Sequence, residues 1–154
     1  MISITGYTAL KYAHVLSAIV AVGFNASYAI WLARAARDPE HELFALRGIK
    51  ILDDRFANPA YALLLVTGLA MVVVGHLDLS TFWLAAALVL YAILVALGLG
   101  VYTPTLRRQI QTLEAVGPSA PAYRTLARRG SIVGGVLAAI VLVIVFLMVT
   151  KPTL

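Results

Sequence analysis

The side chains in this chain that can do chemistry gather early, in the apolar run KYAHVLSAIVAVGFNASY from Lys11 to Tyr28. At 100° per residue, Lys11, His14, Asn25 and Tyr28 share an arc of about 100° on one helix with Ala18 and Ala21. A polar stripe turned toward hydrocarbon is expensive, so this face looks at other helices or at something bound between them. Neutral imidazole ligates haem iron, copper and zinc, which makes His14 the first candidate ligand. Lys11 lies one turn away on the same face, where its ammonium can snorkel outward to meet an anionic ligand group such as a propionate, or a lipid phosphate.

The elements that position these residues follow from composition. The 154 residues are 62% hydrophobic and 12% charged, with a mean hydropathy of +0.93, whereas ordinary soluble domains carry roughly 25% charged residues. Four stretches nearly free of charge, at about 8–33, 59–77, 80–103 and 129–150, each offer the ~20 apolar residues that cross a bilayer. The first has no basic region before it and no cleavage-site pattern after it, so it reads as a retained span and not a signal peptide. The expected fold class is all-α, an integral membrane four-helix bundle, with residues 1–154 as one transmembrane domain.

Absence of cysteine excludes disulfides, thiolate metal sites and haem attached through CxxCH. The net charge of +5 and a pI near 9.8 do not point to nucleic acid, because the basic residues flank the spans. Arg34, Arg37, Arg47, Lys50 and Arg55 follow the first span, and Arg107, Arg108, Arg124, Arg128 and Arg129 follow the third. The opposite side has only Lys11 and Lys151. The positive-inside rule therefore puts both long loops in the cytoplasm and both termini on the outer, periplasmic side of a bacterial inner membrane, with the lipid bilayer as the first partner. The short outer link HLDLST makes spans two and three antiparallel neighbours.

Leu43, Leu46, Ile49 and Phe56 have the spacing of an amphipathic helix lying at the membrane surface, ended by Asn58-Pro59, which opens span two. Beyond Pro104 the segment TLRRQIQTLEAV reads as a helix continuing past the bilayer, and GPSAP breaks the chain after it. From Pro121 one helix runs into span four, where Gly130, Gly134 and Ala138 form a small-residue ridge for close packing.

In this topology His14 and His76 both lie toward the outer face, and facing histidines are how helical bundles commonly hold a metal centre. Met71, just over one turn before His76, is a soft ligand at reach, since a His/Met pair also serves haem. Lys151 ends span four at the outer level and can play the same part as Lys11. Asn25 and Tyr28 lie deeper, available to a ligand or to interhelical hydrogen bonds with Tyr91, Thr67 or Tyr102. Gly134, Gly135 and Ala138 offer small residues beside which a flat porphyrin could lie. His41, between Glu40 and Glu42, reads as solvated. No phosphate loop, HExxH, GxSxG or intramembrane carboxylate is evident, so proton-coupled transport by a buried acid is not expected.

KYAHVLSAIVAVG in span one, LDDRFANPAYALLLVTGLAM entering span two, YTPTLRRQI leaving span three and LMVTKP closing span four resemble a bacterial family of four-helix integral membrane proteins of unknown function. The Lys-x-x-His opening and the Lys-Pro ending are also distantly similar to HemJ-type protoporphyrinogen oxidases and CopD-type copper-resistance membrane proteins. That resemblance implies a haem b or a copper ion held by His14 and, in the first case, oxidation of a tetrapyrrole. Three expectations stand. The chain ligates haem b through His14, with His76 or Met71 as second ligand, for electron transfer or tetrapyrrole oxidation coupled to quinone or a respiratory-chain protein. Alternatively it handles copper through His14, His76 and Met71, or it is a non-catalytic subunit of a larger membrane complex or homo-oligomer.

Overall fold

The computed structural model describes residues 6–152. These form α1 (Gly6–Ala35), α2 (Glu42–Leu52), α3 (Asn58–Val74), α4 (Phe82–Leu97), α5 (Thr103–Val116) and α6 (Pro121–Thr150). Two π-helical turns, Asp53–Ala57 and Gly98–Tyr102, join α2 to α3 and α4 to α5 without a break. There are thus four rods, Gly6–Ala35, Glu42–Val74, Phe82–Val116 and Pro121–Thr150, each long and apolar enough to span a membrane. No strand occurs among the described residues.

The middle rods have 33 and 35 residues, or about 50 Å at the α-helical rise, against a hydrocarbon core of about 30 Å. Both project well beyond it, at the end where the arginines gather. That end is called the basic end below, and the other, which holds Gly6, the Gly75–Thr81 link and Lys151, the terminal end.

Both π-turns have the same cause. Each is followed, after one intervening residue, by proline, Pro59 and Pro104. Proline lacks the N–H that would bond the carbonyl four residues back, and its ring collides with that carbonyl. Those carbonyls belong to Arg55 and Gly100, inside the two π-turns. Widening the turn makes room for the ring and lets the helix continue. Asn58-Pro59 therefore does not end the α2 helix, and α2 is the extension of α3 and no separate surface helix. Phe56, expected on the buried face of α2, is displaced by the extra residue of the π-turn. It is 48% exposed and rests against Phe24 of α1, with ring centroids 5.2 Å apart. Beyond Pro104 the helix does continue, through α5 to Val116, and the break falls at Gly117 (φ 78°), as the GPSAP sequence required.

Packing is uneven along the bundle. At the basic end Tyr28, Leu46, Ile49, Leu106, Leu113 and Tyr123 form a buried core, with Leu46 wholly enclosed, and Arg47 Nη2 ties α2 to Glu114 of α5 at 2.7 Å. Through the membrane the inward faces of α1 and α3 are small or slender, with Ser17, Ala21 and Thr67, while α4 and α6 bury Leu84, Tyr91, Leu94 and Leu147 beside Ala87. The outward faces are apolar and bare, as at Ile19, Val66, Val89 and Leu142, the pattern of a helix bundle in lipid. The chief pairs are α1 with α3 and α4 with α6. Although α3 and α4 are joined by a short link, no Cα of one comes within 8 Å of a Cα of the other. They are therefore spaced neighbours, joined where Tyr91 Oη donates to the Tyr61 carbonyl at 2.6 Å.

Candidate ligand site at His14

His14 lies in the third turn of α1, half-buried against α3. Its Nδ1 is 3.1 Å from Thr67 Oγ1, and the Thr67 hydroxyl donates to the Leu63 carbonyl at 2.7 Å. With the threonine proton directed to the Leu63 or Leu64 carbonyl, its oxygen accepts from Nδ1–H in the Nδ1-protonated tautomer. Nε2 is then unprotonated and carries a free lone pair. Among the described residues the only sealed polar side-chain atom without a partner is Tyr28 Oη, so Nε2, which has no hydrogen bond, opens to the surface of the α1–α3 pair. Gly68 makes the docking possible: a Cβ there would sit 3.0 Å from His14 Cε1.

The other expected ligand groups are placed as follows. Met71 is one turn beyond Thr67 on the same stripe of α3, toward the terminal end. His76 lies past the end of α3, exposed and at positive φ (49°). Gly75 beside it packs on the ring of Tyr7, to which a Cβ would come within 2.8 Å, so His76 belongs to the Tyr7 level of α1. Seven residues separate Tyr7 from His14, a rise of roughly 10 Å, so the two imidazoles stand on separate levels. Lys11 is exposed. Lys151 is engaged, its ammonium 5.3 Å from the centre of the Trp83 ring in a cation–π contact that pins the end of α6 to the start of α4. No group of three or more His, Asp or Glu side chains converges among the described residues.

The small residues of α6 are used elsewhere. Gly130 abuts Gln109 and Thr105, Gly134 faces the Tyr102 ring, and Gly135 has no neighbour at Cβ distance. None stands against His14.

Deeper along the polar stripe, Asn25 Nδ2 donates to Tyr61 Oη at 2.8 Å and to the Ala21 carbonyl at 2.9 Å. Interhelical bonding is thus the use of Asn25, with Tyr61 as a partner its sequence context did not single out. Thr67 goes to His14 and Tyr91 to the Tyr61 backbone. Tyr28 is 4% exposed and its hydroxyl has no partner. Near it is a group the sequence reading missed, Asp53, 5% exposed and held by Asn58 Nδ2 at 3.3 Å. The available signal was spacing: Leu46, Ile49 and Asp53 fall at i, i+3 and i+7, so Asp53 continues the apolar stripe of α2.

At the basic end Tyr123 Oη donates to Glu42 and accepts from Gln109 Nε2 at 3.3 Å, linking α6, α2 and α5. Beside this chain lie two cavities with Glu42, Ala36 and Ala127 in common. The inner one, about 100 Å³, is lined among others by Tyr102, Gln109, Gly130 and Ser131. The outer one, about 360 Å³, has Ser119, Tyr123 and Arg124 at its mouth. His14 lines neither.

No curated protein and no solved structure matches the chain. A family model does match, and four membrane-length apolar rods agree with its description. Residues 8–152 fit the family described as predicted integral membrane protein, DUF2269, and the chain belongs to that family.

Proposed function

We propose that this protein lies in a bacterial inner membrane with its basic end in the cytoplasm and its termini in the periplasm, and that His14 ligates a haem b in a redox role. The role is electron transfer or tetrapyrrole oxidation, with quinone or a respiratory-chain protein as partner. The supporting observation is the His14–Thr67–Leu63 chain, which fixes Nδ1–H and leaves Nε2 as a ready ligand atom. Metal-ligating histidines are commonly held by such a bond from their second nitrogen. Haem bound there would supply one-electron iron chemistry. This chain's part is to hold the imidazole neutral and oriented and, through Lys11 one turn away, to meet a propionate.

The donor atom fits such a group, and His14 lines neither of the two cavities described above. The ring docks tightly on Gly68, and the small residues of α6 lie elsewhere. Cover for the rest of a porphyrin must come from outside the chain, from lipid, a second copy or a partner subunit. His76 does not share the level of His14, so Met71 is the second ligand this chain is best placed to offer. The same pair supports the copper reading, in which no porphyrin needs cover. A scaffold role is favoured by a different observation, that Asn25, Tyr61, Tyr91 and Thr67 are satisfied by helix-to-helix bonds without any guest.

Purification from haem-sufficient cells, with an absorption spectrum and iron and copper analysis, separates these readings. The haem reading expects a Soret band that His14→Ala abolishes. Copper at fixed stoichiometry without a Soret band would replace it with the copper reading. Protein free of both, copurifying with fixed partners, would leave the scaffold.

A further inference from the structure

We infer that Asp53 and Tyr28 form a proton-binding site at the inner end of a polar path that opens at the basic end of the bundle. The site is separate from His14 and does not depend on the haem reading.

Asp53 begins the first π-turn and is buried where that turn packs on α1. The carboxylate has no cation of its own. Lys50, the nearest ammonium, is bound to Asp54, which is exposed, and the direct partner of Asp53 is the Asn58 amide. The facing elements present phenols: Tyr28 from α1, Tyr61 from α3 and Tyr102 from the second π-turn, all within electrostatic reach of the carboxyl. A buried carboxylate without a countercharge is strongly disfavoured, so the group takes up either a cation or a proton. A metal ion is disfavoured because Asn58 aims a donor at the carboxylate and no three His, Asp or Glu side chains converge among the described residues. A proton needs no extra ligands and no volume. Burial pushes the Asp53 carboxyl above the ordinary carboxylate range, helped by Asp54 and opposed by Asn58 and Lys50.

Tyr28 Oη is the second, independent sign. It is sealed and unpartnered, a costly state for a buried polar group. Such an orphan beside a buried acid is a hydroxyl ready to accept from the acid form or donate to the ionised form. The route for the proton is the pair of cavities. Arg124, Ser119 and Glu42 stand at the mouth, Gln109 and Ser131 line the interior, and Tyr102 closes it. Tyr102 in turn lies within reach of Asp53. Beyond Asn25 the bundle is shut by Ala21, Ser17 and Ala87, all buried, so the site exchanges with one side only. Uptake transfers a proton from water in the vestibule to the Asp53 carboxylate, giving the neutral acid, and release reverses it.

Infrared spectroscopy of the purified full chain in lipid nanodiscs tests this. On acidification the wild type is expected to show the carbonyl stretch of a protonated carboxylic acid at a pH above the range in which exposed carboxylates protonate, and the band should shift on transfer to D₂O. Asp53→Asn should remove the band, Asp53→Glu should move it, and Glu42→Gln should leave it. The Asp53→Glu and Glu42→Gln comparison decides the assignment even if Asp53→Asn fails to fold. Ser131→Phe, a bulky group at the exposed wall of the inner cavity, should slow the deuterium shift severalfold without removing the band. Absence of the band in the wild type, or its persistence unmoved in Asp53→Glu, would overturn the site. An unchanged exchange rate in Ser131→Phe would overturn the path.

Discussion

At the scale of single residues, the account rests on hydrogen bonds whose donors and acceptors are assigned. Thr67→Val keeps the shape of the side chain but strands His14 Nδ1–H. We expect a loss of about 1 kcal/mol of stability, the ordinary net worth of such a bond, and weakened retention of any group held by Nε2, read by melting temperature and cofactor content. Gly68→Ala should act through His14 alone, because the added methyl meets the imidazole. The ring must shift, and cofactor content should fall more than the melting temperature does. Asp53 has a pH signature. The folded chain binds the Asp53 proton more tightly than the unfolded chain does, so its contribution to stability is complete below the ordinary carboxylate range and is lost as pH rises through the higher folded value. Thermal melts should therefore fall on that limb in the wild type and be flatter in Asp53→Asn. His14 was legible in the sequence because a polar residue in an apolar run is conspicuous. Its partners were not, since Thr67 and Gly68 are ordinary in a membrane helix and only the register of α1 against α3 selects them. Asp53 was hidden by Asp54: two adjacent acids at a span boundary look solvated, yet they point about 100° apart on a helix.

At the scale of elements, the two π-turns decide what each long rod presents. They advance the helix by one residue relative to an α-turn, which sets Leu46, Ile49 and Asp53 inward while Thr67 meets His14. Deleting the exposed Arg55 should restore a regular helix and rotate α2 by about 100° against α3. Leu46 and Ile49 would then leave the core, and we expect destabilisation of roughly 2–5 kcal/mol, the range for losing one large buried aliphatic contact, measured by chemical denaturation in detergent. The four apolar spans were legible from charge-free length, and the helix beyond Pro104 from the lack of any break before GPSAP. The fusion of α2 to α3 was not, because Asn-Pro stops most helices and nothing local in the sequence says that the preceding turn will widen instead.

At the scale of the whole molecule, the rods are packed by a large-residue core at the basic end, and through the membrane by small residues of α1 and α3 and by Leu84, Tyr91, Leu94 and Leu147 of α4 and α6. Lys151 over Trp83 and Tyr7 over Gly75 tie the terminal end. A chain without cysteine is directly suited to single-cysteine mapping of its orientation. Ser80→Cys is expected to react with a membrane-impermeant maleimide in intact cells, and Ser119→Cys only after permeabilisation. The reverse pattern would invert the topology and place the polar path on the outside. Helix pairing was only partly legible: a short link made α3 and α4 look like close partners, whereas α3 packs on α1 and α4 on α6 because small inward residues allow those closer approaches.

The central claim is that the imidazole of His14 is held neutral and oriented in order to ligate a guest. The reduced-minus-oxidised difference spectrum of the purified protein, wild type beside His14→Ala, tests it most directly. The account predicts haem b α and Soret features in the wild type and none in the variant at equal protein concentration. A wild type with no such features, or a variant with undiminished ones, would contradict it.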